Sequence, residues 1–171
     1  FNAEFADLKG RSDVIAVAPD AGATKLIMHF SRELQINSAI ASKYRPSQEE
    51  AVISDIIGDF AGKRIAIVLD DMISSAGTMF ELVQQLVQEK GIEEVYMGAS
   101  HNLCLPDTKE RLQQLHDEYN LKKVVVTNSI PQTPGFEELP FFKVRCLSEI
   151  FARSINRIHY NRSLSEVFRS R

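Results

Sequence analysis

What most constrains the fold of this chain is one repeated succession: a short apolar run with no polar alternation, a polar turn, then a segment of helical periodicity. Residues 14–19, VIAVAP, are rich in β-branched side chains and are closed by Pro-Asp-Ala-Gly. From Thr24 to Leu34, the apolar residues Leu26, Ile27, Phe30 and Leu34 return at helical spacing. Residues 38–42, SAIAS, read as a second strand, and residues 43–50, KYRPSQEE, as a charged loop holding a proline. RIAIVLD, residues 64–70, is a third strand, and Met79, Leu82, Val83, Leu86 and Val87 form one apolar helical face after it. The succession continues with a strand at 95–100, a helix at 107–119, a strand at 123–131, a short strand at 144–147 and a helix at 148–161. A strand with one wet face alternates polar and apolar residues; these do not, so both faces must be covered. The expected fold is α/β and doubly wound: a mainly parallel sheet flanked by helices in a Rossmann-like three-layer arrangement.

With no internal repeat, low-complexity tract or linker-like stretch, residues 1–171 read as a single domain. The formal net charge of −3 argues against a nucleic-acid-binding surface. Cys104 and Cys146 match neither a disulfide framework nor a metal-ligand spacing and read as reduced thiols. No stretch approaches the ~18 apolar residues of a membrane span, and FNAEFADLKGRSD lacks the regions of a secretory signal. A cytoplasmic protein without nucleic-acid or membrane partners is expected. Ligands of doubly wound folds lie beyond the carboxyl ends of the strands. The candidate chemistry therefore falls in PDAG (19–22), SKYRP (42–46), DDMISSAGT (70–78), SHNLC (100–104) and TNSIP (127–131).

DDMISSAGT sets two carboxylates, Asp70 and Asp71, before a loop of small residues, Ser74, Ser75, Ala76, Gly77 and Thr78. At the start of a helix, unpaired backbone N–H groups and the positive end of the dipole favour an anion. Small side chains let a phosphate approach, and hydroxyls donate to it. The aspartates would repel that phosphate, so they must meet another part of the ligand. Sugar hydroxyls suit them, because ionised carboxylates only accept hydrogen bonds. The same stretch also reads as an ordinary strand-to-helix turn with Asp71 and Ser74 as caps.

The stretch resembles the phosphoribosyl-pyrophosphate-binding signature of type I phosphoribosyltransferase-like domains. More narrowly, VAPDAGATK, SKYRP, IIGDFAGKRIAIVLDDMISSAGT, GASHNLCLPDTKERL, VVVTNSIP and SINRIHYNRSLSEVF resemble the C-terminal half of the ribose-phosphate pyrophosphokinase family. The resemblance implies Mg²⁺-dependent transfer of the pyrophosphoryl group of ATP to ribose 5-phosphate, giving phosphoribosyl pyrophosphate and AMP. It implies that Asp70 and Asp71 hold the ribose hydroxyls and that Ser74, Ser75, Ala76, Gly77 and Thr78 cradle the 5-phosphate. Lys43 and Arg45 would neutralise the transferred group as catalytic residues, and Asp20 would bind the metal. His101 falls in the family's Thr-His-Gly segment, with a local hydrogen-bonding role as its other reading; His29, His116 and His159 read as surface or packing residues.

The sequence departs from the family pattern at Ser74, where the family has Asp, at Ser75 for Thr, at Ala23 for Gly and at Tyr44 for Arg. Two further readings stand beside the synthetase: a nucleotide-salvage phosphoribosyltransferase, and a non-catalytic regulatory homologue that binds sugar phosphate. The resemblance also implies an N-terminal half of similar fold, not in this chain, that supplies most of the ATP-binding residues, and a homo-oligomer, dimer or hexamer. Residues 140–144 and the Phe151 region read equally as interface or core.

Overall fold

The five residues of β1 (Val14–Ala18) are buried without exception, and their side chains divide between two apolar clusters, one on each face of a sheet. Ile15 and Val17 join one cluster, and Val14, Ala16 and Ala18 the other. This is the physical reason for the missing alternation: neither face is wet. The computed structural model describes residues 1–44 and 52–167.

A 3-10 helix (Asn2–Leu8) precedes β1, and α1 (Thr24–Leu34) follows it. Phe5, Leu8, Ile27, Phe30 and Leu34 close one face of the sheet. β2 (Asn37–Tyr44) runs parallel to β1, and β3 (Val52–Ile57) pairs with β2 antiparallel at the sheet edge. β4 (Ile65–Ile73) lies on the other side of β1 and leads into α2 (Gly77–Gln88). β5 (Glu94–Asn102), α3 (Pro106–Tyr119), β6 (Leu121–Thr127), a short α4 (Pro134–Glu137) and β7 (Phe142–Arg145) complete the sheet. The sheet order is β3-β2-β1-β4-β5-β6-β7, and every pair except β2–β3 is parallel. Leu82 and Leu86 of α2 and Leu112 and Leu115 of α3 cover the second face. The last α-helix, α5 (Ser148–His159), has no buried residue and exposes Ile150, Phe151, Ile155 and Ile158.

The expected doubly wound fold is what the chain adopts, with differences at the strand ends. β2 continues through Lys43 and Tyr44, which the sequence assigns to a loop, because β3 supplies partners: Lys43 pairs with Ile53 and Tyr44 with Val52. β3 itself has no counterpart in the sequence reading; among the residues whose burial is described, Ile53 and Ile56 of this edge strand are in the core. β4 reaches Ile73 rather than Asp70, because β5 pairs alongside to the same depth, Met72 with His101 and Ile73 with Asn102. β6 stops at Thr127, four residues before the expected Pro131. There side chains turn the backbone: the Thr127 hydroxyl accepts from Ser129 N–H, and the Asn128 amide oxygen accepts from Leu147 N–H. Of the apolar residues left open between core and interface, Phe141 and Phe142 are core, whereas Phe151 is 59% exposed.

Candidate functional site

The carboxyl ends of β1, β2 and β4 meet the start of α2 around one cleft of about 400 Å³. Its lining includes Asp20, Lys43, Asp70, Asp71, Ser74, Ser75, Ala76, Gly77 and Thr78. The topological reason is the strand order: β1 is flanked by β2 and β4, so the turns after all three open on the same side. Arg45 lies outside the described residues.

After β1, Asp20 folds the chain back in an Asx turn. Its Oδ1 accepts from Gly22 N–H at 2.8 Å and from Ala23 N–H at 3.3 Å. A Cβ at Gly22 would sit 3.0 Å from that oxygen, so glycine gives the turn its tight closure. This Asx turn is a local structural role for Asp20, and it uses one carboxylate oxygen.

At the end of β4, Asp71 is exposed and Asp70 half-buried. Burial pushes the Asp70 carboxyl up to about 6; the N–H of Asp71, donating to Asp70 Oδ1 at 2.8 Å, opposes the shift, and the charges of Asp71 and Asp20 add to it. Acid groups from two different strand ends thus feel one another across the cleft.

The loop that follows is built from small residues, which leave its backbone open to the cleft. Ala76 sits at φ +59° as the N-cap of α2, and no side chain caps the helix, so Asp71 and Ser74 are not its caps. Among the described residues, the N–H groups of Ser75, Ala76, Gly77 and Thr78 have no hydrogen-bond acceptor; the first bond inside the helix runs from Phe80 N–H to Ala76 O. Lys43 crosses from β2 and donates from Nζ to Thr78 Oγ1 at 2.9 Å, placing a cation on the loop. Two residues absent from the sequence reading hold the loop from behind. Thr108 Oγ1 donates to Ser74 O, and Arg111 Nη1 donates to Ser75 O at 2.6 Å. Thr108 shares a helical spacing with buried Leu112 and Leu115, so its inward orientation was readable, but its partner was not.

His101 lies in β5 and not in the turn after it, and it is outside the cleft lining. Its Nδ1 is 2.7 Å from Ser129 Oγ, which donates its proton to Ser100 O at 3.0 Å. With the Ser129 proton directed to Ser100 O, the hydroxyl oxygen is free to accept from Nδ1. The local hydrogen-bonding role is the one observed. His29 and His159 are exposed, and His116 stacks on Phe141.

Comparison with known proteins bears on this geometry. The family model described as "Phosphoribosyl synthetase-associated domain" matches residues 31–169. A ribose-phosphate pyrophosphokinase of Caldanaerobacter subterraneus subsp. tengcongensis is 36% identical over 164 residues, which cover 96% of this chain. The chain belongs to the ribose-phosphate pyrophosphokinase family. A Fusobacterium nucleatum member is 34% identical over 91% of the chain. The crystal structure of phosphoribosylpyrophosphate synthetase from Mycobacterium smegmatis superposes with a TM-score of 0.72 at 25% identity, covering 94% of this chain and 48% of that one. The chain spans about half the length of the curated relatives it matches: 50% of the first and 47% of the second.

In this member of the pyrophosphokinase family, the cleft sets three carboxylates, Asp20, Asp70 and Asp71, against one described lysine, Lys43. An anionic ligand meets a net negative rim there unless a cation accompanies it. Among the described residues, no three His, Cys, Asp or Glu side chains gather to hold a metal by themselves. That donor set suits a hard cation shared between one or two carboxylates and the oxygens of a bound phosphate, the usual arrangement for magnesium. Both cysteines are free, and no described helix is long and apolar enough to cross a membrane.

Proposed function

We propose that this chain is the ribose 5-phosphate-binding domain of a ribose-phosphate pyrophosphokinase. The observation that carries the reading is the single cleft in which the acidic pair of β4, the open N–H groups at the start of α2 and the Lys43–Thr78 contact lie together. In this reading the 5-phosphate accepts from the N–H groups and hydroxyls of the Ser74–Thr78 loop. The ribose hydroxyls donate to Asp70 and Asp71, above the pH at which Asp70 ionises. The anomeric oxygen then attacks the β-phosphorus of ATP, the bond from that phosphorus to the α-phosphate oxygen breaks, and AMP leaves. Lys43, together with Arg45, places positive charge where the pyrophosphoryl group passes, since such transfers depend on positioning and electrostatics.

Asp20, with one oxygen engaged in its own turn, would hold Mg²⁺ by the other. The ion would supply charge neutralisation on the phosphates of the nucleotide. Because the chain spans about half the length of its curated relatives, the ATP site in this reading is completed by a further domain of the longer protein, and subunit assembly belongs to the same proposal. A cytoplasmic location belongs to the same proposal. Ser74, in place of the family's acid, favours a second reading in which the domain binds sugar phosphate without turnover.

Calorimetric titration of ribose 5-phosphate with Mg²⁺ tests the proposal. Binding is expected in the wild type and a loss of at least tenfold in Asp70→Ala and in Thr78→Ala, with circular dichroism unchanged. Failure of the wild type to bind sinks it. In a two-domain protein carrying this half, binding without AMP release would select the non-catalytic reading.

A further inference from the structure

We propose that Thr108 and Arg111 of α3 are positioning residues that aim the backbone N–H groups of Ser75 and Ala76 into the cleft. The inference rests on the reading above that the loop receives a phosphate. In a trans peptide the C=O and the following N–H point in opposite directions. Thr108 Oγ1 holds the carbonyl of Ser74 at 2.5 Å, so the Ser75 N–H is turned away from α3. Arg111 Nη1 holds the carbonyl of Ser75 at 2.6 Å, so the Ala76 N–H is turned the same way. The two side chains stand one helical turn apart and pin consecutive peptide planes.

The surroundings suit a fixed brace. Thr108 is fully buried, and Asp107 Oδ2 lies 3.9 Å from Arg111 Nη2 while Nη1 makes the loop contact. A Cβ at Gly77 would come within 3.5 Å of Arg111 Nη1, which places the cation directly behind the turn. Between the pinned carbonyls and the helix stands Ala76 in the left-handed region, a conformation that a side-chain-bearing residue keeps only where its surroundings impose it. A charge-assisted bond to Ser75 O also polarises that peptide, making the Ala76 N–H a stronger donor. The brace therefore both orients the donors and strengthens one of them, from a helix that does not line the cleft itself.

The test is an amide-resolved titration of ¹⁵N-labelled chain with inorganic phosphate and, separately, with ribose 5-phosphate. In the wild type, both ligands should move the Ser75 and Ala76 signals saturably. Arg111→Met and Thr108→Val should each weaken both ligands about tenfold, the scale of one lost charge-assisted or buried hydrogen bond. The rest of the amide spectrum should stay in place. Arg111→Lys and Thr108→Ser, which keep a donor, should bind within about threefold of wild type, a rescue that loss of general stability does not predict. Should Arg111→Met fail to fold, Thr108→Val against Thr108→Ser carries the comparison. Unchanged affinity in both Arg111→Met and Thr108→Val overturns the brace while leaving the phosphate site standing. A wild type that binds neither ligand overturns the site and the brace with it.

Discussion

Asp70 shows at the scale of one residue how a proposed binding site works against the fold that carries it. Its carboxyl is raised from 3.8 to about 6, chiefly by burial and then by the charges of Asp71 and Asp20. Between those two values the folded chain binds more protons at this position than the unfolded chain, so stability falls as pH rises through the window and is flat above it. Asp70→Asn should remove that slope. The expected result is a melting temperature about 2–4 °C above wild type at pH 8, the size of roughly 1 kcal/mol in a domain of this length, and no difference below pH 3.5. Thermal melts across that pH range check it, and equal melting temperatures at pH 8 would contradict it. The same substitution halves the acidic pair proposed to hold ribose hydroxyls, so a gain in stability should accompany a loss of ribose 5-phosphate affinity.

Among elements, the N-terminal 3-10 helix is held to the far end of the sheet by charge as well as by Phe5 and Leu8. Glu4 is buried, its side chain 4% exposed, and faces Lys123 at 2.9 Å, Lys143 at 3.1 Å and Arg145. Its two carboxylate oxygens make no geometrically sound hydrogen bond, so their attraction is ionic, while Lys123 Nζ also donates to the backbone Glu4 O at 3.1 Å. Burial, and next the charge of Lys143, lowers the Lys123 ammonium from its ordinary range, which marks the crowding of cations there. Glu4→Gln would leave those cations facing one another across an uncharged amide. A loss of about 3 kcal/mol is expected in urea unfolding, because removing one partner from a buried ionic group is costly. Lys143→Met, at a half-exposed partner, should cost less than about 1 kcal/mol. Neither residue lines the cleft, so both variants should bind ribose 5-phosphate as wild type does while folded.

At the scale of the whole molecule, the cleft measures about 400 Å³. The cleft has room for a sugar phosphate, and the curated relatives are about twice as long as this chain. Supplied with ribose 5-phosphate, ATP and Mg²⁺, the 171-residue chain should bind the sugar and release AMP at no more than the background rate. Steady turnover in a chromatographic AMP assay would contradict the proposal that ATP needs a further domain. The exposed apolar residues Ile150, Phe151, Ile155 and Ile158 share one stripe of α5, so the question of Phe151 is answered by its position outside this domain's own core.

The sequence by itself determined the succession of the parallel strands and the longer helices, though not β3, the short α4 or the N-terminal 3-10 helix, together with the burial of both sheet faces and the loop that carries small residues after Asp70 and Asp71. Those features are local: the α1 limits at Thr24 and Leu34 follow from apolar spacing along one helix, and the unbroken apolar β1 follows from having no wet face. Tertiary structure decided where strands end and which side chains meet. Lys43 lies in a strand because β3 arrives from later in the chain to pair with it. It reaches Thr78 across a gap of 35 residues, and Thr108 and Arg111 reach the carbonyls of Ser74 and Ser75 across 34 and 36. No periodicity encodes such contacts, because they depend on how the sheet sets separate strand and helix ends beside one another, and a residue's own neighbours in the chain carry no trace of that placement.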